Sequence, residues 1–119
     1  MAENIIQSNI MLDIGRGLSR IWRNNIGTAF NKNGSVVKYG IHNPGGSDLL
    51  GFVSVVITPD MVGQTVAIFT AIECKDIGKH VLPGSDQEKF LNIVRRGGGR
   101  AGVARSVEEA RAIVAGTVI

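Results

Sequence analysis

Two neighbouring apolar segments, residues 49–57 and 65–72, constrain the fold of this 119-residue chain more than any other feature. Both segments are rich in β-branched residues, and Pro59 and Gly63 lie in the connection between them, where they favour a turn. The pattern predicts two adjacent antiparallel strands. Because the second segment is apolar on both faces, we expect it to lie in the middle of a covered sheet.

Charged residues stand at the outer ends of these two segments. Asp48 precedes the first segment, and Glu73 and Lys75 follow the second. An antiparallel pair would bring Asp48 opposite the region from Glu73 to Lys75. Two carboxylates in a partly desolvated place raise each other's pKa, so a cation such as Mg²⁺ or Mn²⁺, which prefers oxygen ligands, would stabilise them. Spacing alone leaves a second interpretation open, a strand end with purely structural ion pairs.

The residues around these charges resemble a known family. Asp48 followed by Glu73-Cys74-Lys75 resembles the D…(D/E)XK signature of the PD-(D/E)XK nuclease superfamily, with Ser47 where the superfamily's name implies proline. The ordered blocks resemble the stand-alone VRR-NUC domains of phages and bacteria over nearly the whole chain, which predicts a single nuclease domain of residues 1–119. The blocks are residues 40–51 (GIHNPGGSDLLG), 72–75 (IECK), 87–91 (QEKFL) and 102–104 (GVA).

The resemblance implies an α/β fold with an α-β-β-β-α-β core, in which helices flank a mixed central sheet. It also implies metal-dependent hydrolysis of DNA phosphodiesters. Asp48, Glu73 and the backbone carbonyl of Cys74 would bind the metal, and Lys75 would position or activate water. Glu3 on the first helix and Gln87 on a later helix are candidates for supporting roles.

Both supporting candidates have a structural alternative. Glu3 also suits the N-terminus of a helix, where the dipole favours a carboxylate. Gln87 also suits a partly buried position where its amide would need only a hydrogen-bond partner. Stand-alone members of the family resemble Holliday-junction resolvases, which act as homodimers. Branched DNA is therefore the expected substrate and a homodimer the expected assembly.

Basic residues are clustered rather than spread along the chain. The formal charge is +3 and the pI is about 9.4. Arginine clusters suit phosphate contacts, although solvated helix ends are also rich in arginine. The candidate DNA-binding residues are Arg23, Arg95, Arg96, Arg100 and Arg105.

Local patterns predict the remaining elements. A helix over residues 3–15 and strands over 20–26, 35–41 and 101–104 follow from periodicity and turn residues. Two capping boxes predict the starts of two later helices. Trp22 is expected in the core. The single Cys74 is expected to be a buried thiol facing away from Glu73. The boxes are Ser85 with Glu88, whose helix ends at Arg96, and Ser106 with Glu109.

Several function classes are disfavoured. No apolar stretch reaches the roughly 18 residues of a membrane span, and no export signal is evident, so a cytoplasmic protein without a membrane partner is expected. Residues 97–102 match G-x-G-x-x-G, but a predicted helix precedes them and a strand follows, so no nucleotide cofactor is expected. The alternative to a nuclease is a DNA-binding module of the same fold without catalysis. The presence of Asp48, Glu73 and Lys75 together favours the nuclease.

Overall fold

The computed structural model describes residues 2–116, and the chain divides into two compact units, residues 1–53 and 54–119. The elements combine helices with small antiparallel and parallel sheets, so the fold is mixed α/β, as predicted. Among the helices within residues 2–116, none is both long and apolar enough to cross a bilayer.

The first unit consists of one helix and two antiparallel strand pairs. Helix α1 contacts β1, and β1 pairs with β4 in the register Ile21↔Gly51. Trp22 and Phe52, whose ring centroids lie 5.9 Å apart, pack on this pair. The predicted helix and the strand predicted over residues 35–41 are confirmed. The strand predicted over 20–26 ends at Arg23, and the strand that precedes the turn, residues 27–30, was not predicted. The elements are α1 (Glu3–Ile14), β1 (Ser19–Arg23), β2 (Gly27–Phe30), β3 (Val36–Tyr39) and β4 (Leu49–Val53), with β2 paired to β3.

The second unit is a two-stranded parallel sheet with a helix on each face. The chain runs from a 3₁₀ turn (Pro59–Met61) through β5 (Thr70–Cys74), α2 (Asp86–Arg96) and β6 (Arg100–Ala104) to α3 (Val107–Ala115). Strand β5 pairs in parallel with β6, and the crossover between them contains α2. The buried hydrophobic side chains of the described residues all belong to this unit, namely Leu91, Val94, Ala104 and Ile113.

Local side-chain hydrogen bonds set where α2 and α3 begin. The Ser85 Oγ accepts the Glu88 N–H at 3.2 Å, and a Glu88 carboxylate oxygen accepts the Gly84 N–H at 3.0 Å. The Ser106 Oγ accepts the Glu109 N–H at 3.1 Å in the same way. Both predicted capping boxes are confirmed. The first box fixes Gln87 in the opening turn of α2.

The predicted antiparallel pairing of residues 49–57 with 65–72 was wrong. Strand β4 pairs with β1 and ends at Val53, whereas β5 pairs with β6. A connection of seven residues does not fix strand register as a two-residue turn does. The apolar composition of the two segments was therefore not sufficient to predict that they pair with each other. The strands within residues 2–116 therefore form three two-stranded sheets instead of one mixed central sheet.

Strand β5 is also shorter than predicted, and Cys74 lies differently. The ladder begins where the Arg100 N–H reaches the Phe69 carbonyl, because its partner β6 begins only after the glycine segment. Cys74 is exposed, so the prediction of a buried thiol was wrong. The reason is that α3 packs mainly against β6 and leaves the end of β5 uncovered on that face.

Candidate active site

Three of the predicted site residues form one cluster in the second unit. The Gln87 side-chain amide donates to a Glu73 carboxylate oxygen at 2.9 Å, and the Lys75 ammonium lies 3.9 Å from the same oxygen. Glu73 and Lys75 are half-buried, with 32% and 25% of their side-chain surface exposed. A carboxylate, an ammonium and an amide group thus meet at the carboxyl end of β5.

The sequence produces this cluster through two elements. Glu73 and Lys75 are two positions apart on an extended strand, so they share one face of the sheet. The Lys75 N–H donates to the Ala104 carbonyl at 3.1 Å, which continues the ladder one residue beyond β5. The capping box then starts α2 at Asp86, and its first turn places Gln87 over Glu73.

The same ladder determines where the Cys74 carbonyl points. Successive residues of a strand direct their backbone groups to opposite edges. Since the backbone of Lys75 faces β6, the backbone of Cys74 faces the other edge of β5. The described strands give β5 no partner on that edge. The Cys74 carbonyl therefore takes no part in the β5–β6 ladder.

Glu73 has one occupied and one unoccupied oxygen within residues 2–116. Both of its recorded side-chain contacts use the Oε1 atom. Gln87 thus holds the carboxylate in one orientation while the Oε2 atom stays available to a ligand. Lys75 supplies a positive charge close by without a short hydrogen bond, since 3.9 Å exceeds the usual 2.7–3.2 Å range.

The other two acidic candidates line one cavity in the first unit. Glu3 at the start of α1 and Asp48 just before β4 border a cavity of about 390 Å³, together with Gln7 and Ser47. Both carboxylates are exposed. The polar groups that border the cavity are thus all oxygen-bearing side chains, two of them carboxylates.

Asn24 positions the loop that carries Asp48, a role that the sequence analysis missed. Its side-chain amide donates to the carbonyls of Ile41 at 2.9 Å and Ser47 at 3.0 Å, and its side-chain oxygen accepts the Ile41 N–H at 2.8 Å. Its own N–H donates to the Asp48 carbonyl at 2.8 Å. An asparagine near the end of the strand predicted over residues 20–26 was the available signal, but its hydrogen-bond partners lie far along the chain.

Gly46 is required by the same loop. A side-chain carbon at this position would lie 2.0 Å from the Ile41 carbonyl oxygen and 3.0 Å from the Asn24 amide nitrogen. The structure shows neighbouring backbone at this position, so Gly46 serves the shape of the loop that leads to Asp48.

The candidate DNA-binding arginines separate into different environments. Arg23 donates to Gln7 at 3.0 Å and to Ser8 at 3.2 Å, and so ties β1 to α1. Arg105 donates twice to the Lys79 carbonyl, at 3.1 and 2.5 Å, and holds the loop after Lys75. Arg96 is exposed in the last turn of α2, while Arg95 and Arg100 border a second cavity.

The carboxylates of Glu3, Asp48 and Glu73 provide the oxygen ligands that Mg²⁺ and Mn²⁺ prefer. Within residues 2–116, however, no group of three or more His, Cys, Asp or Glu side chains is assembled to hold a metal ion. One or two carboxylates are the usual protein contribution to a Mg²⁺ site, and water and substrate phosphate supply the remaining ligands. The residues present fit a metal bound in that way.

Comparison of the chain with protein-family models, with curated proteins and with solved structures finds no match. The resemblance to VRR-NUC domains therefore remains a hypothesis carried by the motif residues themselves.

Proposed function

We propose that the protein is a metal-dependent DNA endonuclease of the VRR-NUC type, with a PD-(D/E)XK core. The observation that carries the proposal is the cluster of Glu73, Lys75 and Gln87 on β5 and α2. These are the acidic and basic residues of the E-x-K motif, together with the helix glutamine expected to support them. Mg²⁺ or Mn²⁺ is the proposed cofactor, with Glu73 and the Cys74 carbonyl as ligands in the second unit. The family motif assigns Asp48 as a further ligand and Glu3 as a supporting residue.

A purely structural ion pair explains the cluster less well. A hydrogen-bonded pair between an ammonium and a carboxylate has a typical N–O distance of about 2.7–2.9 Å. Lys75 lies 3.9 Å from Glu73, so its donors are not committed to that carboxylate. An ion pair also has no need of Gln87, whose amide fixes the carboxylate from the helix side.

Each residue has a distinct role in the proposed hydrolysis. A metal held by these residues would supply Lewis-acid activation of the phosphate and of water. Glu73 is held by Gln87, so that its second oxygen keeps one orientation toward ligands. Lys75 donates a hydrogen bond that orients the attacking water and offsets negative charge on the phosphate. The water oxygen forms a bond to phosphorus and gives its proton to solvent, while the ester P–O bond breaks and the departing oxygen takes a proton from solvent.

Branched DNA and a homodimer extend the proposal. One chain supplies one set of Asp48, Glu73 and Lys75, whereas symmetric incision of a four-way junction needs two sets. A closed dimer with two-fold symmetry provides two equivalent sites. A junction is therefore the proposed substrate, and linear duplex is the comparison that tests this preference.

The test is cleavage of labelled four-way junction, flap and linear duplex DNA with Mn²⁺, Mg²⁺ or EDTA. Glu73→Gln, Asp48→Asn and Lys75→Met should each lower the metal-dependent rate, by about 10²- to 10⁴-fold. Asp76→Asn is the matched control, because Asp76 is exposed and the substitution removes the same charge as Glu73→Gln. The control should cleave like the wild type.

Three results would overturn parts of this proposal. If Glu73→Gln cleaves as fast as Asp76→Asn, the cluster is not catalytic. If the wild-type protein binds DNA but cuts nothing with either metal, the non-catalytic DNA-binding module replaces the nuclease. Cleavage of duplex with an intact junction would reject the branched substrate alone.

A further inference from the structure

A second site lies in the same unit as Glu73, and its arginines stand at the other end of the sheet. A cavity of about 650 Å³ is bordered by Arg95, Arg100 and the glycine residues on either side of Arg100. We call it the arginine cavity. Its volume falls within the range of about 300–1,000 Å³ that is typical of ligand sites. In the parallel register Arg100 stands opposite Thr70, three positions before the pair of Glu73 and Val103. At about 3.3 Å per residue, Arg100 lies about 10 Å from the position of Glu73 along the strand, while the cavity extends along β6 as far as Val103.

The two guanidinium groups are held in place by backbone and amide oxygens. Arg95 donates to the Ala101 carbonyl at 3.0 Å and to the Asn92 side chain at 3.1 Å. Arg100 donates to the Val114 carbonyl near the end of α3. These contacts explain part of why the arginines are present, since a cation near a helix C-terminus is stabilising.

The contacts leave most of the charge and many donors unused. A guanidinium has five N–H donors, of which the recorded contacts use two in Arg95 and one in Arg100. The salt bridges formed within residues 2–116 are Arg16 with Asp13 and Lys75 with Glu73. Neither arginine of the cavity therefore has a carboxylate partner in that part of the chain.

The absence of a side chain at Gly98 leaves one part of the cavity border open. A side-chain carbon at Gly98 would meet no atom within 4 Å, so this part of the loop borders free space. A side-chain carbon at Gly102 would lie 2.9 Å from the Ile113 side chain and 3.9 Å from the Arg95 Nη2 atom, so this glycine lets Ile113 pack against β6 and places that donor nearby. Two fixed guanidinium groups that have no carboxylate partner among residues 2–116, beside an open glycine segment, favour an anion with several acceptor oxygens.

We propose that the arginine cavity binds one phosphate group of a DNA strand, outside the metal-binding cluster. The phosphate fits because arginine forks match its oxygens and can bind it through paired hydrogen bonds. That the phosphate belongs to DNA rests on the proposed nuclease function. That the site prefers phosphate rests on the arginines and the cavity between them. A contact at this distance from the cluster orients the strand and carries no sequence information.

The test is equilibrium binding of labelled DNA in EDTA, where no cleavage interferes, over a range of salt concentrations. The variant is the double substitution Arg95→Gln with Arg100→Gln, because glutamine keeps a donor for the carbonyl contacts but removes the charge. We expect at least about tenfold weaker binding. We also expect the slope of log K against log salt to fall by about 0.9, the value for one lost phosphate contact on duplex DNA. Duplexes with and without a terminal phosphate distinguish a terminal from a backbone group.

Arg111→Gln is the matched control. Arg111 is exposed on α3, has no recorded contact, does not border the cavity, and its substitution changes the charge by one. Each single cavity variant should weaken binding more than this control. The proposal would be overturned if Arg111→Gln and the cavity variants lost equal DNA affinity, or if the double variant kept the wild-type salt slope.

A second variant tests the proposal independently, in case the double variant does not fold. Arg95→Lys keeps the charge but loses the fork, so it should weaken binding with little change in salt slope. Inorganic phosphate should also shift the NMR signals of the Gly98 amide and the Arg95 Nε–H in the wild type. Absence of these shifts would overturn the proposal. If the wild-type protein does not cleave DNA but the double variant still has the smaller salt slope, only the nuclease proposal is rejected.

Discussion

Replacing Asn24 by alanine should destabilise the loop that presents Asp48. The substitution removes three side-chain hydrogen bonds, two to Ile41 and one to Ser47, and leaves the backbone bond to Asp48 in place. Each such bond contributes a net of about 1 kcal/mol, so the free energy of unfolding should fall by up to about 3 kcal/mol. Asn24 is half-buried, so water replaces part of this, and a loss of about 1–3 kcal/mol is expected.

The assay is urea denaturation of Asn24→Ala beside Asn25→Ala. Asn25 is the matched control, because it is the adjacent asparagine, it is exposed, and it has no recorded side-chain hydrogen bond. Isothermal titration with Mn²⁺ gives a second readout. A residue that orients a metal ligand typically changes affinity by about 10- to 100-fold when it is removed. If the two variants have equal stability and equal Mn²⁺ affinity, Asn24 does not position Asp48.

Three further outcomes are expected. Gly46→Ala should lower stability by about 1–3 kcal/mol in urea, because its side-chain carbon would overlap the Ile41 carbonyl; a wild-type midpoint would refute this. Val94→Ala should cost about 2–3 kcal/mol in the same assay, since Val94 is 0% exposed and the substitution leaves a cavity; a loss below about 1 kcal/mol would contradict it. The Thr58 hydroxyl donates to Asp60 and lowers the pKa of that carboxyl. Stability from this bond is therefore present above the pKa of Asp60 in the unfolded chain and lost as pH falls through its folded value. Thr58→Val should raise the Asp60 pKa in an NMR titration.

Local features of the fold were predictable from sequence, whereas long-range pairing was not. The helix starts at Ser85 and Ser106 depend on contacts three or four residues apart, and the structure confirms both. The partner of β5 depends on competition between distant segments. The parallel strand β6, reached through α2, forms the ladder with β5, and apolar composition does not encode that choice.

The candidate site shows the same division. Glu73 and Lys75 share a face because of strand periodicity, and Gln87 follows from the capping box, so motif and local pattern predict this cluster. Asn24 was missed because its acceptors lie 17 and 23 residues away. Arg23 and Arg105 were predicted as DNA contacts, but their hydrogen bonds to other parts of the protein are visible only once the fold is known.

The backbone bonds that extend two ladders have a consequence for amide hydrogen exchange. The Lys75 N–H continues the β5–β6 ladder in the unit that contains the buried side chains. The Asn24 N–H continues the β1–β4 ladder in a unit where residues 2–53 contain no buried side chain. Terminal bonds without a buried core open by local fluctuation, so the Asn24 amide should exchange faster than the Lys75 amide. A ligand that fixes Asp48 would slow the exchange at Asn24, which makes this single amide a reporter of occupancy that needs neither label nor turnover.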